Sequence, residues 1–166
     1  MKKGFTMIEL IFVIVILGIL AAVAIPRLSA TRDDATASKV SANLGTLVTE
    51  IGTYWTANGV LPANWTAITN IPLTTTAGGT TAATTLTAGA AGKVYLNTGG
   101  VLTTADSTQG CYSLDLNSSG VLNVIPLSGG SSLGCVGAKA ATRSSNLTGV
   151  DDTNQTYTFG GSRVRF

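Results

Sequence analysis

Lys2-Lys3-Gly4-Phe5-Thr6-Met7-Ile8-Glu9-Leu10 leads straight into Ile11-Phe12-Val13-Ile14-Val15-Ile16-Leu17-Gly18-Ile19-Leu20-Ala21-Ala22-Val23-Ala24-Ile25. From Phe5 to Ile25 only Thr6, Glu9 and Gly18 interrupt the apolar side chains. As a helix this run is about 32 Å long at ~1.5 Å per residue. That matches a hydrocarbon core of ~30 Å. Lys2 and Lys3 precede the run, so the positive-inside rule leaves the amino end in the cytoplasm and the rest of the chain outside it. A second reading starts from the same residues. Two lysines, an apolar core and Ala22-Val23-Ala24 also resemble a signal peptide with an A-x-A cleavage site. Cleavage after Ala24 would leave Pro26 second in the mature chain. It would also leave Glu9 as a carboxylate inside the apolar core, where ionisable groups are costly and usually functional.

The rest of the composition narrows the function classes. The chain has 166 residues, 45% hydrophobic and only 11% charged. A soluble protein carries about 25% charged residues. Mean hydropathy is +0.37. Such a chain sits in a membrane or in an assembly that covers its apolar surface. Histidine is absent, which removes the commonest general base and metal ligand. Composition therefore argues against an enzyme, and no cofactor is expected. Ten basic and eight acidic residues leave no strong nucleic-acid footprint.

Lys3-Gly4-Phe5-Thr6-Met7-Ile8-Glu9-Leu10 resembles the amino terminus of type IV pilins and of the pilin-like subunits of type II secretion and DNA-uptake machines. The family pattern is a short basic leader ending in Gly, an aromatic residue, then Thr-x-Ile-Glu-Leu opening a long apolar helix. The resemblance covers roughly residues 1–58. It implies cleavage between Gly4 and Phe5 by a prepilin peptidase and N-methylation of Phe5 by the same enzyme. The protein would be that enzyme's substrate. Cleavage creates an α-amine at Phe5 with a reference pKa of about 8. Glu9 supplies the opposite charge, and pairing offsets the cost of a carboxylate in apolar surroundings. The resemblance implies that the amine belongs to a neighbouring subunit, so that Phe5 and Glu9 set the register of a filament. Glu9 could also face its own Phe5 amine, four residues away on one helical face, and complement the helix dipole. Removal of residues 1–4 takes away Lys2 and Lys3, leaving eight basic against eight acidic side chains. A neutral subunit stacks many times without accumulating repulsion.

Beyond the apolar run the helix continues, with Pro26 expected to bend or locally open it. Val40, Leu44, Leu47, Val48, Ile51, Tyr54 and Trp55 then fall at helical spacing. Gly45 and Gly52 permit close packing. Asn58-Gly59, followed by Pro62, reads as the stop. Residues 60–92 include ten Thr and eight Ala, and no Asp, Glu, Lys or Arg occurs from 51 to 92. Trp65, Ile68, Ile71 and Leu73 could pin the first half onto the helix. Residues 74–92 read as a solvent-facing excursion or a short hairpin. Lys93–Asn97, Cys111–Leu116 and Val121–Ile125 read as strands, the last two joined by the turn Asn117-Ser118-Ser119-Gly120. Residues 156–159 and 163–166 flank Gly160-Gly161, another hairpin signal.

The expected architecture is α+β and pilin-like. A leader (1–4) precedes a transmembrane or filament-core helix (5–28) and its amphipathic half (29–58). A Thr/Ala-rich connection (59–92) leads to an antiparallel sheet head (93–166). With the head outside the cytoplasm, Cys111 and Cys135 meet an oxidising compartment that favours pairing, as in many type IV pilins. Two thiols with no histidine make a poor metal site, and none is expected. Asn117 and Asn154 head N-x-S/T patterns that match glycosylation acceptors or ordinary turns. Asp106, Asp151 and Asp152 could offer oxygens to calcium, or be solvated loop charges. Lys139, Arg143, Arg163 and Arg165 could form a basic patch, which Asp151 and Asp152 oppose.

The resemblance implies a homo-oligomeric filament assembled from the bacterial inner membrane by an ATPase and a membrane platform, with minor pilins and prepilin peptidase as further partners. The leading reading is a type IV pilus subunit for adhesion, motility or DNA uptake. A periplasmic pseudopilus of type II secretion is the alternative. A secreted binding domain starting at Ile25, behind an ordinary signal peptide, is the third reading.

Overall fold

The computed structural model describes residues 4–86 and 93–160. Contacts divide the chain into two compact units, Met1–Asp33 and Asp34–Phe166. One helix, α1 (Met7–Asn58), begins in the first and ends in the second. Pro26 lies inside it. In the first unit the large apolar side chains from Phe5 to Leu28 are all exposed, from 41% at Ile16 to 91% at Phe5. By length and composition the helix can cross a membrane, its most apolar window having a mean hydropathy of 3.1.

The second unit holds the core. It contains α1 from Asp34 onward and four strands: β1 (Lys93–Asn97), β2 (Gly110–Leu116), β3 (Val121–Pro126) and β4 (Gln155–Thr158). They form one antiparallel sheet in the order β1-β2-β3-β4. The register puts Val94 opposite Leu114, Leu96 opposite Tyr112 and Leu116 opposite Leu122. Alternation along each strand therefore turns one apolar face inward. Ala37, Val40, Leu44, Leu47 and Ile51 of α1 join that face in a single buried cluster. These positions recur at the three- and four-residue spacing of one helix face. Val48 packs against the cluster while partly exposed, and Tyr54 and Trp55 are half-buried. The arrangement is α+β and pilin-like, a long amino-terminal helix whose later turns pack on an antiparallel sheet.

One expectation is corrected. The segment between β3 and β4 is not wholly strand and turn. It contains a helix, α2 (Leu133–Ser144), whose N-cap Ser132 accepts a hydrogen bond from the Cys135 amide at 3.4 Å. Gly134 and Gly137 lower its intrinsic propensity and mask it in the sequence. They also let it lie close to α1, since a Cβ on either would crowd Thr36 or Ala37. Of the hairpin expected around Gly160-Gly161, the arm among the described residues is β4. β4 pairs with β3, Val121 opposite Thr158 and Val124 opposite Gln155. Residues 163–166 lie outside the described residues.

The connection is a stapled loop rather than an open excursion. The amide of Trp65 donates to the carbonyl of Thr84 at 2.9 Å, and that of Leu86 to Ala63 at 2.8 Å. Thr74 pairs with both Ala82 and Tyr95. Thr74, Gly78, Gly79, Ala83 and Leu86 are buried. A short hairpin closes between Thr74 and Ala82, which is the other form anticipated for this stretch. Residues 87–92 lie outside the described residues. Asn97 ties the loop to the sheet. Its Oδ1 accepts from the Gly78 amide at 3.0 Å, and its Nδ2 donates to Thr74 Oγ1 at 2.9 Å and to the Gly100 carbonyl at 3.1 Å.

Candidate processing and assembly segment

The segment Gly4–Leu10 shows how the first helical turn is built. Helix α1 starts at Met7, so Thr6 is the N-cap and Glu9 the third helical residue. Glu9 Oε2 accepts from the Thr6 amide and from Thr6 Oγ1, both at 2.8 Å, and Thr6 Oγ1 accepts from the Glu9 amide at 3.4 Å. This is a capping box: side chain and backbone at the N-cap and at the third residue satisfy each other. The pattern Thr-x-x-Glu immediately before an apolar run carries this signal in the sequence, beside the charge of Glu9. With Gly4 still attached, Phe5 has no free amine, and Thr6 holds the carboxylate. Phe5 and Gly4 are exposed, so the Gly4–Phe5 bond is accessible to a peptidase.

The other residues singled out in the sequence are scattered over the second unit. Cys111 at the start of β2 and Cys135 in α2 are bonded, with S–S 1.94 Å and Cα atoms 5.0 Å apart. Both are fully buried. Asn117 shapes the β2–β3 turn: its Oδ1 accepts from the amides of Ser119 at 3.0 Å and Val121 at 2.9 Å. Gly120 completes the turn at φ +72°, with the Trp55 ring where a side chain would stand. Asn154 is exposed just before β4.

The two members of the suggested basic patch that lie among the described residues are both engaged elsewhere. Lys139 is buried, and its Nζ donates to the carbonyls of Leu127 at 2.6 Å and Gly130 at 2.9 Å. Arg143 pairs with Asp152 at 2.8 Å, and this partner, the first cause, holds its guanidinium still more firmly protonated. Arg163 and Arg165 lie outside the described residues. Of the aspartates suggested for calcium, Asp152 pairs with Arg143 and Asp106 serves the fold locally. Asp106 caps a short 3-10 helix, accepting from the Thr108 hydroxyl, the Thr108 amide and Gln109 Nε2. Those bonds, the Thr108 hydroxyl first, hold its carboxyl below the usual range. Among the described residues no group of three or more acidic, cysteine or histidine side chains is arranged around a common point.

What the segment can do chemically follows from these facts. It presents an exposed Gly-Phe bond, a capped first turn and an uncovered apolar helix. The exposed bond precedes an apolar surface of the kind that a membrane or other chains can cover.

Residues 1–25 match the family model described as the prokaryotic N-terminal methylation motif. No curated protein and no solved structure matches the chain. The chain therefore carries a prepilin-type N-terminal cleavage and methylation segment. That motif implies processing by prepilin peptidase and filament assembly in general. The apolar helix is compatible with membrane anchoring before assembly.

Proposed function

We propose that this protein is a structural pilin, not an enzyme: a subunit that polymerises through the apolar half of α1 into a type IV pilus. The observation that carries the reading is the exposure of every large apolar side chain from Phe5 to Leu28, in a helix that a methylation motif opens. Before assembly this surface dissolves in the inner membrane, with the amino end cytoplasmic. Afterwards it is buried among copies of itself, so it avoids water in both states. Prepilin peptidase cuts between Gly4 and Phe5 and methylates Phe5. The new amine then meets Glu9 of a neighbouring subunit, displacing the bond from Thr6, and so couples processing to assembly. Pro26 supplies a place where the helix can bend as subunits pack. An ATPase and a membrane platform drive extraction, and minor pilins prime the filament. The disulfide and the uncharged Thr-rich stretch suit a filament exposed on the cell surface, for adhesion, motility or DNA uptake.

The test is the intact mass of the protein from its own cells, combined with imaging of the cell surface. The reading expects residues 5–166 plus one methyl group, a gain of two hydrogens on reduction, and surface filaments that contain the protein. A chain beginning at Ile25 would overturn it, because Glu9 and the assembly helix would be missing. A processed chain found only in periplasmic fibres would move the assignment to a type II secretion pseudopilus.

A further inference from the structure

The chain contains four Asn-x-Ser/Thr patterns: Asn64-Trp65-Thr66, Asn117-Ser118-Ser119, Asn146-Leu147-Thr148 and Asn154-Gln155-Thr156. Each has the residues of an acceptor for an N-linked sugar, a modification of surface segments outside the cytoplasm. A transferase must reach the Asn amide and the hydroxyl two residues later at the same time. The fold decides which pattern meets that demand. At Asn64 the middle residue, Trp65, is 2% exposed, so presenting the pattern means withdrawing an indole from the core. At Asn117 the carboxamide is already in use, because its Oδ1 accepts from the amides of Ser119 and Val121 and so holds the turn. At Asn146 the hydroxyl is out of reach. Thr148 is 1% exposed, and its Oγ1 lies 3.3 Å from that of Thr142.

Asn154 meets the demand on every count. Its side chain is exposed, and the described residues offer it no hydrogen-bond partner. Gln155 is half-buried and Thr156 is exposed. Thr156 Oγ1 donates to Asn123 Oδ1 at 2.8 Å, a surface bond that water can replace at little net cost. The pattern leads into β4, the last strand in the sheet order, whose outer edge carries no strand among the described residues. A large enzyme can therefore approach it from the side. Asp152 stands two residues before Asn154, where bacterial acceptor patterns carry an acidic residue. Its bond to Arg143 joins two exposed groups, and such surface pairs are weak enough to exchange. The corresponding residues before Asn64 and Asn146 are Pro62 and Ser144.

We propose that Asn154 is a glycosylation site that accepts an oligosaccharide from a polyprenyl-pyrophosphate donor. Asn154 Nδ2 forms a bond to the anomeric carbon of the first sugar. The bond from that carbon to the pyrophosphate oxygen breaks, and the polyprenyl pyrophosphate leaves with the electron pair. One Nδ2 proton passes through the transferase to solvent, and nothing is oxidised or reduced. The sugar then stands at the start of β4, an uncharged strand with no proline. An edge of that kind is open to pairing with other chains, and a bulky polar group beside it blocks the approach. The inference rests on the proposed function in one respect, that the head lies outside the cytoplasm.

The test is mass spectrometry of the full protein from its own cells, with a fragmentation method that leaves sugars on their side chains. The proposal expects a saccharide mass on Asn154 and none on Asn64, Asn117 or Asn146. Asn154→Gln should remove that mass completely while the Cys111–Cys135 bond and the melting curve stay as they are. Thr156→Ser keeps the hydroxyl and should keep the sugar, whereas Thr156→Val keeps the shape and should lose it. This contrast separates recognition of the pattern from a change in folding. A processed chain of residues 5–166 without sugar overturns the proposal and leaves the filament reading intact. Sugar carried on Asn117, or on a Ser or Thr hydroxyl in place of Asn154, also overturns it. A chain that begins at Ile25 and bears sugar on Asn154 would overturn the filament reading and support this one.

Discussion

Tyr112 carries its hydroxyl into the core, where it lies 2.8 Å from Thr142 Oγ1. Burial, the largest cause, pushes its pKa from 10.0 up to about 12. The unfolded chain would thus lose this proton first as pH rises past about 10. The sign is fixed by that order: Tyr112 contributes its stability below pH 10, and the contribution is lost as pH climbs towards 12. At its full extent the loss is worth roughly 2–3 kcal/mol, the linkage value of two pKa units. Denaturant unfolding at pH 8 and pH 11.5 should show this fall, and Tyr112→Phe should flatten most of it. A wild-type stability unchanged between the two pH values would show that the phenol is not held as described. Asn97 makes a different contribution. Two of its three hydrogen bonds join β1 to the connecting loop, and Asn97→Ala strands the buried Gly78 amide. A cost of about 1–3 kcal/mol follows, read as a lowered unfolding midpoint with unchanged slope. Nothing in the composition of residues 74–86 discloses this anchor, because Asn97 itself reads as the polar end of a strand.

At the scale of elements, what could be read beforehand divides along a physical line. The β1, β2 and β3 segments combine β-branched and aromatic residues with a Gly-containing turn, so local pattern and tertiary outcome agree. The amphipathic part of α1 is legible for the same reason: Val40, Leu44, Leu47 and Ile51 mark one face. Helix α2 was not legible. Its two glycines weaken the local signal, and at 12 residues it is short for an isolated helix. Tertiary contacts decide it instead: the Ser132 cap, the Lys139 ammonium on two carbonyls, and the Cys111–Cys135 bond. This dependence makes a prediction. Cys135→Ser, or reduction, should cost about 3 kcal/mol in the chain-entropy model. The loss should fall first on α2, seen as faster amide exchange across Leu133–Ser144 than across β2 and β3. Uniform acceleration through the whole sheet would show instead that the bridge supports the head globally. The capping box at Thr6 was legible in principle, since Thr-x-x-Glu before an apolar run is a recognised start signal.

The whole molecule separates two kinds of apolar surface. Every residue of the buried cluster lies at Ala37 or beyond, and the large apolar side chains from Phe5 to Leu28 are all exposed. The high hydropathy of the first unit is compatible with membrane anchoring before assembly. The sequence states this division openly, because a run of apolar residues with no polar face has no use in a small soluble core. It follows that removing residues 1–33 should leave a head that dissolves without detergent. The head should form its disulfide and unfold in one cooperative transition, because the sheet, α2 and the packed turns of α1 all remain. Sedimentation should give a monomer, and near-ultraviolet circular dichroism should retain the signals of the buried Trp65 and Tyr112. The full chain, under the same conditions without detergent, should form large assemblies. If the shortened protein also aggregated, or melted without cooperativity, the first unit would have to be supporting the core, and the exposed helix would no longer be explained by assembly alone.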